Sequence, residues 1–165
     1  MTFSAEERSV YSVLDKLKIP FVRYEHPPVF TVEEAEIHWA DVPGAHCKNL
    51  FLRNKKGNRH YLVILPVYKQ VDLKHLTRSL GVDRLSFASP ERLRRFLDLK
   101  PGSVSPFGLI NDIRREVVVV LDRELREVDA IGFHPNDNTV TLSLVYRDFE
   151  KFLKFCGNRI IYQDI

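Results

Sequence analysis

The sequence predicts one mixed α/β domain of the α+β class, and three observations carry that expectation. The chain has 165 residues, 44% of them hydrophobic and 28% charged, enough to bury a sizeable core without staples. Runs at helical spacing alternate with short apolar runs, so helices and strands interleave along the chain. No linker, internal repeat or low-complexity stretch interrupts it, and residues 1–165 are expected to form a single domain.

Each element has its own local reason. Ser4-Ala5-Glu6-Glu7 reads as a capping box, and Val10, Val13, Leu14 and Leu17 then mark one helical face. Ile19-Pro20 ends that helix, and residues 21–25 look like a short strand. Thr31-Val32-Glu33-Glu34 is a second capping box, predicting a helix to about Trp39. Strands are expected over residues 49–53 and 59–65, joined by the polar segment Asn54-Lys55-Lys56-Gly57-Asn58. Asp72 caps a helix carrying Leu73, Leu76 and Leu80, which Gly81 stops. A short strand over 84–87 precedes Ser89-Pro90, a cap followed by proline in the first turn. Residues 100–111 read as a Gly/Ser/Pro-rich loop. Residues 116–121 hold four valines and read as a central strand. Strands over 128–133 and 139–144, a helix holding Phe149, Phe152, Leu153 and Cys156, and a strand over 160–162 complete the order.

The formal charge is +3, a mild basic excess that permits a polyanionic partner without demanding one. The two cysteines, Cys47 and Cys156, are far apart and make no disulfide framework. The first eighteen residues mix charges and lack the apolar run of a signal peptide, and no stretch has the length of a membrane span. The expected residence is cytoplasmic, with no membrane partner. No spacing among the six histidines and two cysteines suits a metal, and neither a metal nor a cofactor is expected.

Three segments could carry chemistry. Lys48 and Asn49 stand at the mouth of a predicted strand, where a lysine can hold a phosphate or polarise an ester carbonyl. A lone lysine is more often a solvated surface residue, and both readings stand at this level. Cys47 has no evident base partner and reads more readily as a small buried apolar residue. Gly102-Ser103-Val104-Ser105-Pro106-Phe107-Gly108 brackets small residues between glycines, so its backbone N–H groups can face a ligand oxygen. It is neither a Walker loop nor a nucleophile elbow, and composition alone does not separate it from a plain connection. His134 lies in a polar turn, where a solvent-facing role is an even alternative. The basic residues Arg92, Arg94, Arg95 and Lys100 lie just ahead of the glycine loop, though most such clusters are solvated faces.

In chain order, His26-Pro27-Pro28-Val29-Phe30-Thr31, His46-Cys47-Lys48-Asn49-Leu50-Phe51-Leu52, Leu85-Ser86-Phe87, residues 101–112 and Phe133-His134-Pro135 together resemble the YbaK-type, prolyl-tRNA-synthetase-associated editing domain. Within it the chain is most similar to the free-standing alanyl-tRNA(Pro) deacylases. The resemblance implies a curved, largely antiparallel sheet flanked by helices, and hydrolysis of the ester between alanine and the terminal adenosine of a mischarged tRNA. It places the family's essential lysine on Lys48, with Gly102, Ser103, Val104 and Ser105 beside the reacting ester. Val29, Phe30, Thr31, Asn49, Pro106, Phe107, Gly108 and His134 then fall around the substrate. An aminoacyl ester is already activated, so a positioned water, an oxyanion stabiliser and recognition of the 3′ end suffice. Lys48 would stabilise the developing charge, backbone N–H groups of the Gly102 loop would form an oxyanion hole, and the ribose 2′-hydroxyl would orient the water. The implied partners are the acceptor end of a mischarged tRNA and, left open, prolyl-tRNA synthetase. Cys-tRNA(Pro) or another mischarged tRNA as substrate of a deacylase of the same superfamily, or a non-catalytic tRNA- or synthetase-binding module, remain alternatives.

Overall fold

The computed structural model describes residues 2–165. In chain order the elements are helix α1 (Ala5–Lys16), strand β1 (Val22–Glu25), α2 (Val32–Trp39), β2 (Ala45–Arg53), β3 (His60–Pro66), α3 (Leu73–Leu80), β4 (Ser86–Phe87) and α4 (Pro90–Leu97). There follow a 3-10 helix over Pro106–Asn111, β5 (Val117–Asp122), a second 3-10 helix over Arg123–Glu127, β6 (Ala130–Phe133), β7 (Val140–Val145), α5 (Tyr146–Cys156) and β8 (Ile160–Gln163).

The strands form one open sheet in the order β1-β7-β6-β2-β3-β5-β8, with β4 also paired to β2. Antiparallel pairings join β1 to β7, β7 to β6, and β2 to both β3 and β4. The parallel pairings are β2 to β6, β3 to β5, and β5 to β8. Side chains alternate across the pleat. In β3, Leu62 and Ile64 enter the larger core with Val10 and Leu14 of α1, Leu93 and Leu97 of α4, and Phe149 and Phe152 of α5. Tyr61, Val63 and Leu65 enter a smaller core on the other face, with Leu76 of α3. Strand β3 is therefore buried on both faces, which explains its unbroken apolar run. The same holds for β5, where Val117, Val119 and Leu121 face one core and Val120 the other.

The local signals explain the helices. Ser4, Thr31, Asp72 and Ser89 each cap a helix through a side-chain oxygen. The Glu7 carboxylate does not close its capping box, because it is buried against the Arg23 guanidinium at 2.7 Å. Strand β2 starts at Ala45 rather than at residue 49. Its first residues pair with the distant β6, and Gly44 (φ +103°) permits the approach, since a Cβ there would lie 2.7 Å from the Ala130 carbonyl carbon. Lys48 consequently lies inside a strand, not at its mouth. The expected loop over 100–111 ends in a 3-10 helix instead, with Ser105 as its cap and Pro106 in its first turn. No helix among the described residues is long and apolar enough to cross a membrane.

Candidate active site

Strand β2 is paired to β3 along most of its length, but its other edge is divided. Ala45 and His46 pair with β6 at one end, and Leu52 and Arg53 pair with β4 at the other. Between them, residues 47–50 have no strand partner on that edge among the described residues. A cavity of about 300 Å³ opens there. Its walls come from β2 (Cys47, Lys48, Asn49, Leu50), from the segment entering α2 (Val29, Phe30, Thr31) and from α2 itself (Val32, Ala35, Trp39). Gly102, Val104 and His134 close it.

Lys48 is half-buried, and its Nζ donates to the Lys69 backbone carbonyl. No carboxylate pairs with it among the described residues, so its charge remains available to a ligand. The carbonyl is itself anchored: Lys69 Nζ lies 2.8 Å from Asp122 and 2.8 Å from Glu124. His134 Nδ1 donates to the Val140 carbonyl at 2.7 Å, which fixes the tautomer and leaves Nε2 as an acceptor. Burial pushes the pKa of His134 below its ordinary value, and the neighbouring His26 adds to this. Two polar atoms in the cavity walls, the Trp39 indole N–H and the Asn49 side-chain oxygen, are buried without a partner among the described residues.

The glycine loop divides its residues between roles. Gly102, at φ +89°, and Val104 face the cavity. Ser103 faces a separate polar cleft of about 400 Å³ shared with Arg94, Lys100 and Asn136. Ser105 is fully buried. Its hydroxyl donates to the His134 carbonyl at 2.6 Å and accepts from the Phe107 N–H at 3.2 Å, tying the loop to the turn after β6. Pro106, Phe107 and Gly108 lie inside the protein rather than on the cavity. The Phe107 ring packs edge-on against Phe133 and Phe152 in the core. At Gly108 a Cβ would lie 2.6 Å from Leu99 Cδ1.

Of the residues expected around the substrate, the structure thus brings Val29, Phe30, Thr31, Lys48, Asn49, Gly102, Val104 and His134 to one cavity. It does not bring Ser103, Ser105, Pro106, Phe107 or Gly108 there. Sequence reasoning missed Ala35 and Trp39, although Val32, Ala35 and Trp39 follow helical spacing and form one wall. It also missed Lys69 and Asp122, whose roles no sequence spacing signals.

Cys47 lines the cavity yet is buried, and burial raises its thiol pKa, with the Asp122 charge adding to the rise. A thiol held protonated is a poor nucleophile. Cys47→Ser is accordingly expected to retain hydrolysis within about tenfold of wild type, the loss coming from packing. Acid-quenched single turnovers analysed by mass spectrometry check this, because an acyl-thioester on Cys47 would contradict it.

Among the described residues no group of three or more His, Cys, Asp or Glu side chains is placed to hold a metal ion.

The sequence model of the aminoacyl-tRNA editing domain matches residues 26–152. The prolyl-tRNA editing protein ProX of Acetoanaerobium sticklandii is 45% identical over 152 residues, 92% of this chain and 93% of that protein. Prolyl-tRNA synthetase associated domain-containing protein 1 of Xenopus laevis is 37% identical over 155 residues, 92% of each chain. Among solved structures, one described as a candidate trans-editing enzyme for prolyl tRNA synthetase superposes with a TM-score of 0.73 at 22% identity, covering 99% of both chains. At that identity the superposition speaks for the fold alone. The matched segment runs from His26 through β2 and the glycine loop into α5, and so contains the whole cavity wall. On this agreement of sequence across most of its length, the chain belongs to the aminoacyl-tRNA editing domain family.

Proposed function

We propose that residues 1–165 act as one cytoplasmic editing domain that hydrolyses Ala-tRNA(Pro) in trans. The observation that carries this is the cavity at the unpaired edge of β2, where an unneutralised lysine, a glycine with positive φ and a neutral histidine meet beside a small apolar pocket. Val29, Ala35, Trp39 and Leu50 take the alanine side chain. The ester carbonyl points toward Lys48 and the backbone N–H groups near Gly102, which stabilise the oxyanion as water adds. The ribose 2′-hydroxyl orients that water, and the unprotonated Nε2 of His134 accepts a hydrogen bond from the substrate. A synthetase pocket shaped for proline rejects the smaller alanine only modestly, because each of the two missing carbons is worth only about 1–3 kcal/mol. A second site that admits alanine and excludes the larger proline ring removes the error.

Parallel deacylation of Ala-tRNA(Pro), Cys-tRNA(Pro) and Pro-tRNA(Pro) tests this. Rapid loss of alanine with proline retained is expected. Preferential loss of cysteine would replace the substrate, and inertness toward all three would leave only a binding module. Co-purification with prolyl-tRNA synthetase would establish it as a docking partner.

The histidine gives a pH dependence. Its pKa is depressed, so the neutral form persists below the ordinary value of 6.5 and is lost as pH falls through the depressed value. The kcat/KM profile is expected to hold to below pH 6.5 and then fall. That acidic limb should vanish in His134→Gln at a uniformly lower rate. A limb unchanged in the variant would remove His134 from the reaction.

A further inference from the structure

Phe30 is 71% exposed and, unlike the comparably exposed Tyr68 and Phe87, stands at the rim of the cavity. Its backbone is nevertheless held on both sides. The preceding Val29 is buried, and its carbonyl accepts from Asn138 Nδ2 at 3.3 Å. The Phe30 N–H donates to the Glu34 carboxylate at 3.1 Å, and the next residue, Thr31, caps α2 by accepting from the Glu34 N–H. One edge of the ring lies over Gly102, where a Cβ would stand 3.2 Å from Cδ1 and 3.5 Å from Cε1. The ring is thus supported from the main chain of the glycine loop, while most of its surface stays open to solvent.

Exposure of a single ring is ordinary, but a ring fixed at the mouth of a cavity gains free energy when an occupant covers it. The occupant follows from continuity with the cavity. When an aminoacyl group enters the pocket, its ester oxygen and ribose lie at the mouth, and the terminal purine lies just beyond, at the rim. Single-stranded nucleic-acid ends are commonly held by stacking their splayed bases on aromatic side chains. We propose that Phe30 is the stacking platform for the terminal adenine of the tRNA, a role toward the base rather than the amino acid. Glu34, Asn138 and Gly102 are the residues that position it. This proposal rests on the deacylase assignment above.

Two measurements test it. The first needs no hydrolysis: an uncharged tRNA(Pro) carrying 2-aminopurine at its terminal position is titrated with protein. Stacking quenches the fluorophore, so wild type and Phe30→Tyr should quench it. Phe30→Leu, which keeps apolar volume but has no ring, should not. Equal quenching by Phe30→Leu and wild type, or none by wild type at saturation, overturns the proposal. The second compares kcat/KM for Ala-tRNA(Pro) with that for a methyl riboside carrying a 2′(3′)-alanyl ester and no base. Phe30→Leu should lose roughly tenfold to a hundredfold on the tRNA and little on the riboside. An equal loss on both substrates would instead make Phe30 a wall of the alanine pocket. Failure of wild type to deacylate any charged tRNA would strike the deacylase assignment, whereas the fluorescence result judges the platform separately.

Discussion

Lys48→Ala is expected to reduce single-turnover hydrolysis of Ala-tRNA(Pro) by roughly a hundredfold to a thousandfold, the usual cost of removing one oxyanion stabiliser. The fold should survive. Lys48 has no ion pair to lose among the described residues, and its ammonium hydrogen bond is to a backbone carbonyl. Its neighbours in β2 keep their pairing to β3. Circular dichroism and thermal melting should therefore match wild type while the rate collapses. Lys48→Arg should not rescue it fully, because a planar, forked guanidinium does not place a point charge where a compact ammonium stood. A Lys48→Ala rate within a few-fold of wild type would remove the lysine from the mechanism.

Gly102→Val should come next in size. The residue sits at φ +89°, a region that L side chains enter at a cost of about 1–2 kcal/mol, and β-branching makes it worse. The new Cβ would also meet the Phe30 ring at 3.2 Å. Either effect swings the loop's N–H groups away from the ester, and a loss of roughly a hundredfold in rate is expected. Ser103→Ala, facing the polar cleft, should change little. Ser105→Ala should act on stability instead, costing about 1–3 kcal/mol, because it strands the buried His134 carbonyl and the Phe107 N–H. Rates and melting temperatures measured on the same three proteins separate these outcomes. A Gly102→Val enzyme that hydrolyses normally, beside a well-folded but dead Ser105→Ala, would move the chemistry from backbone to hydroxyl.

Most of the helices were legible because their signals are local. Thr31, Asp72 and Ser89 announce starts within four residues, and Gly81 and Gly157 announce stops. The start of β2 was not legible. Its partner there is β6, some eighty-five residues later; Ala45 and Cys47 do alternate with His46 and Lys48, but two small apolar residues are a weak strand signal beside the Leu and Phe that follow. The parallel neighbours β3, β5 and β8 were likewise invisible as neighbours, since pairing across helices leaves no trace in spacing. At the site, Lys48, Gly102 and His134 could be named from the motif order, and their convergence came only from what the resemblance implies, not from their spacing. Phe107 and Gly108 looked equally loop-like. Only the packing of the Phe107 ring against Phe133 and Phe152 shows that this half of the segment serves the core. Ser105-Pro106 repeats the cap-and-proline signal of Ser89-Pro90, so the 3-10 helix was readable in principle.

The divided edge of β2 has a consequence for how such a protein can diversify. Because the cavity occupies the space between the end of β6 and the end of the antiparallel β4, its dimensions depend on chain ends rather than on core volume. Lengthening the turn over residues 134–139, which carries His134 to the cavity, would reshape the aperture from outside. The β2–β3 and β3–β5 ladders that carry the two cores would keep their register. Surface turns tolerate insertion far better than packed strands do. A lineage built on this scaffold can therefore drift toward a different side chain by indels at the aperture's lip, without first passing through an unstable intermediate.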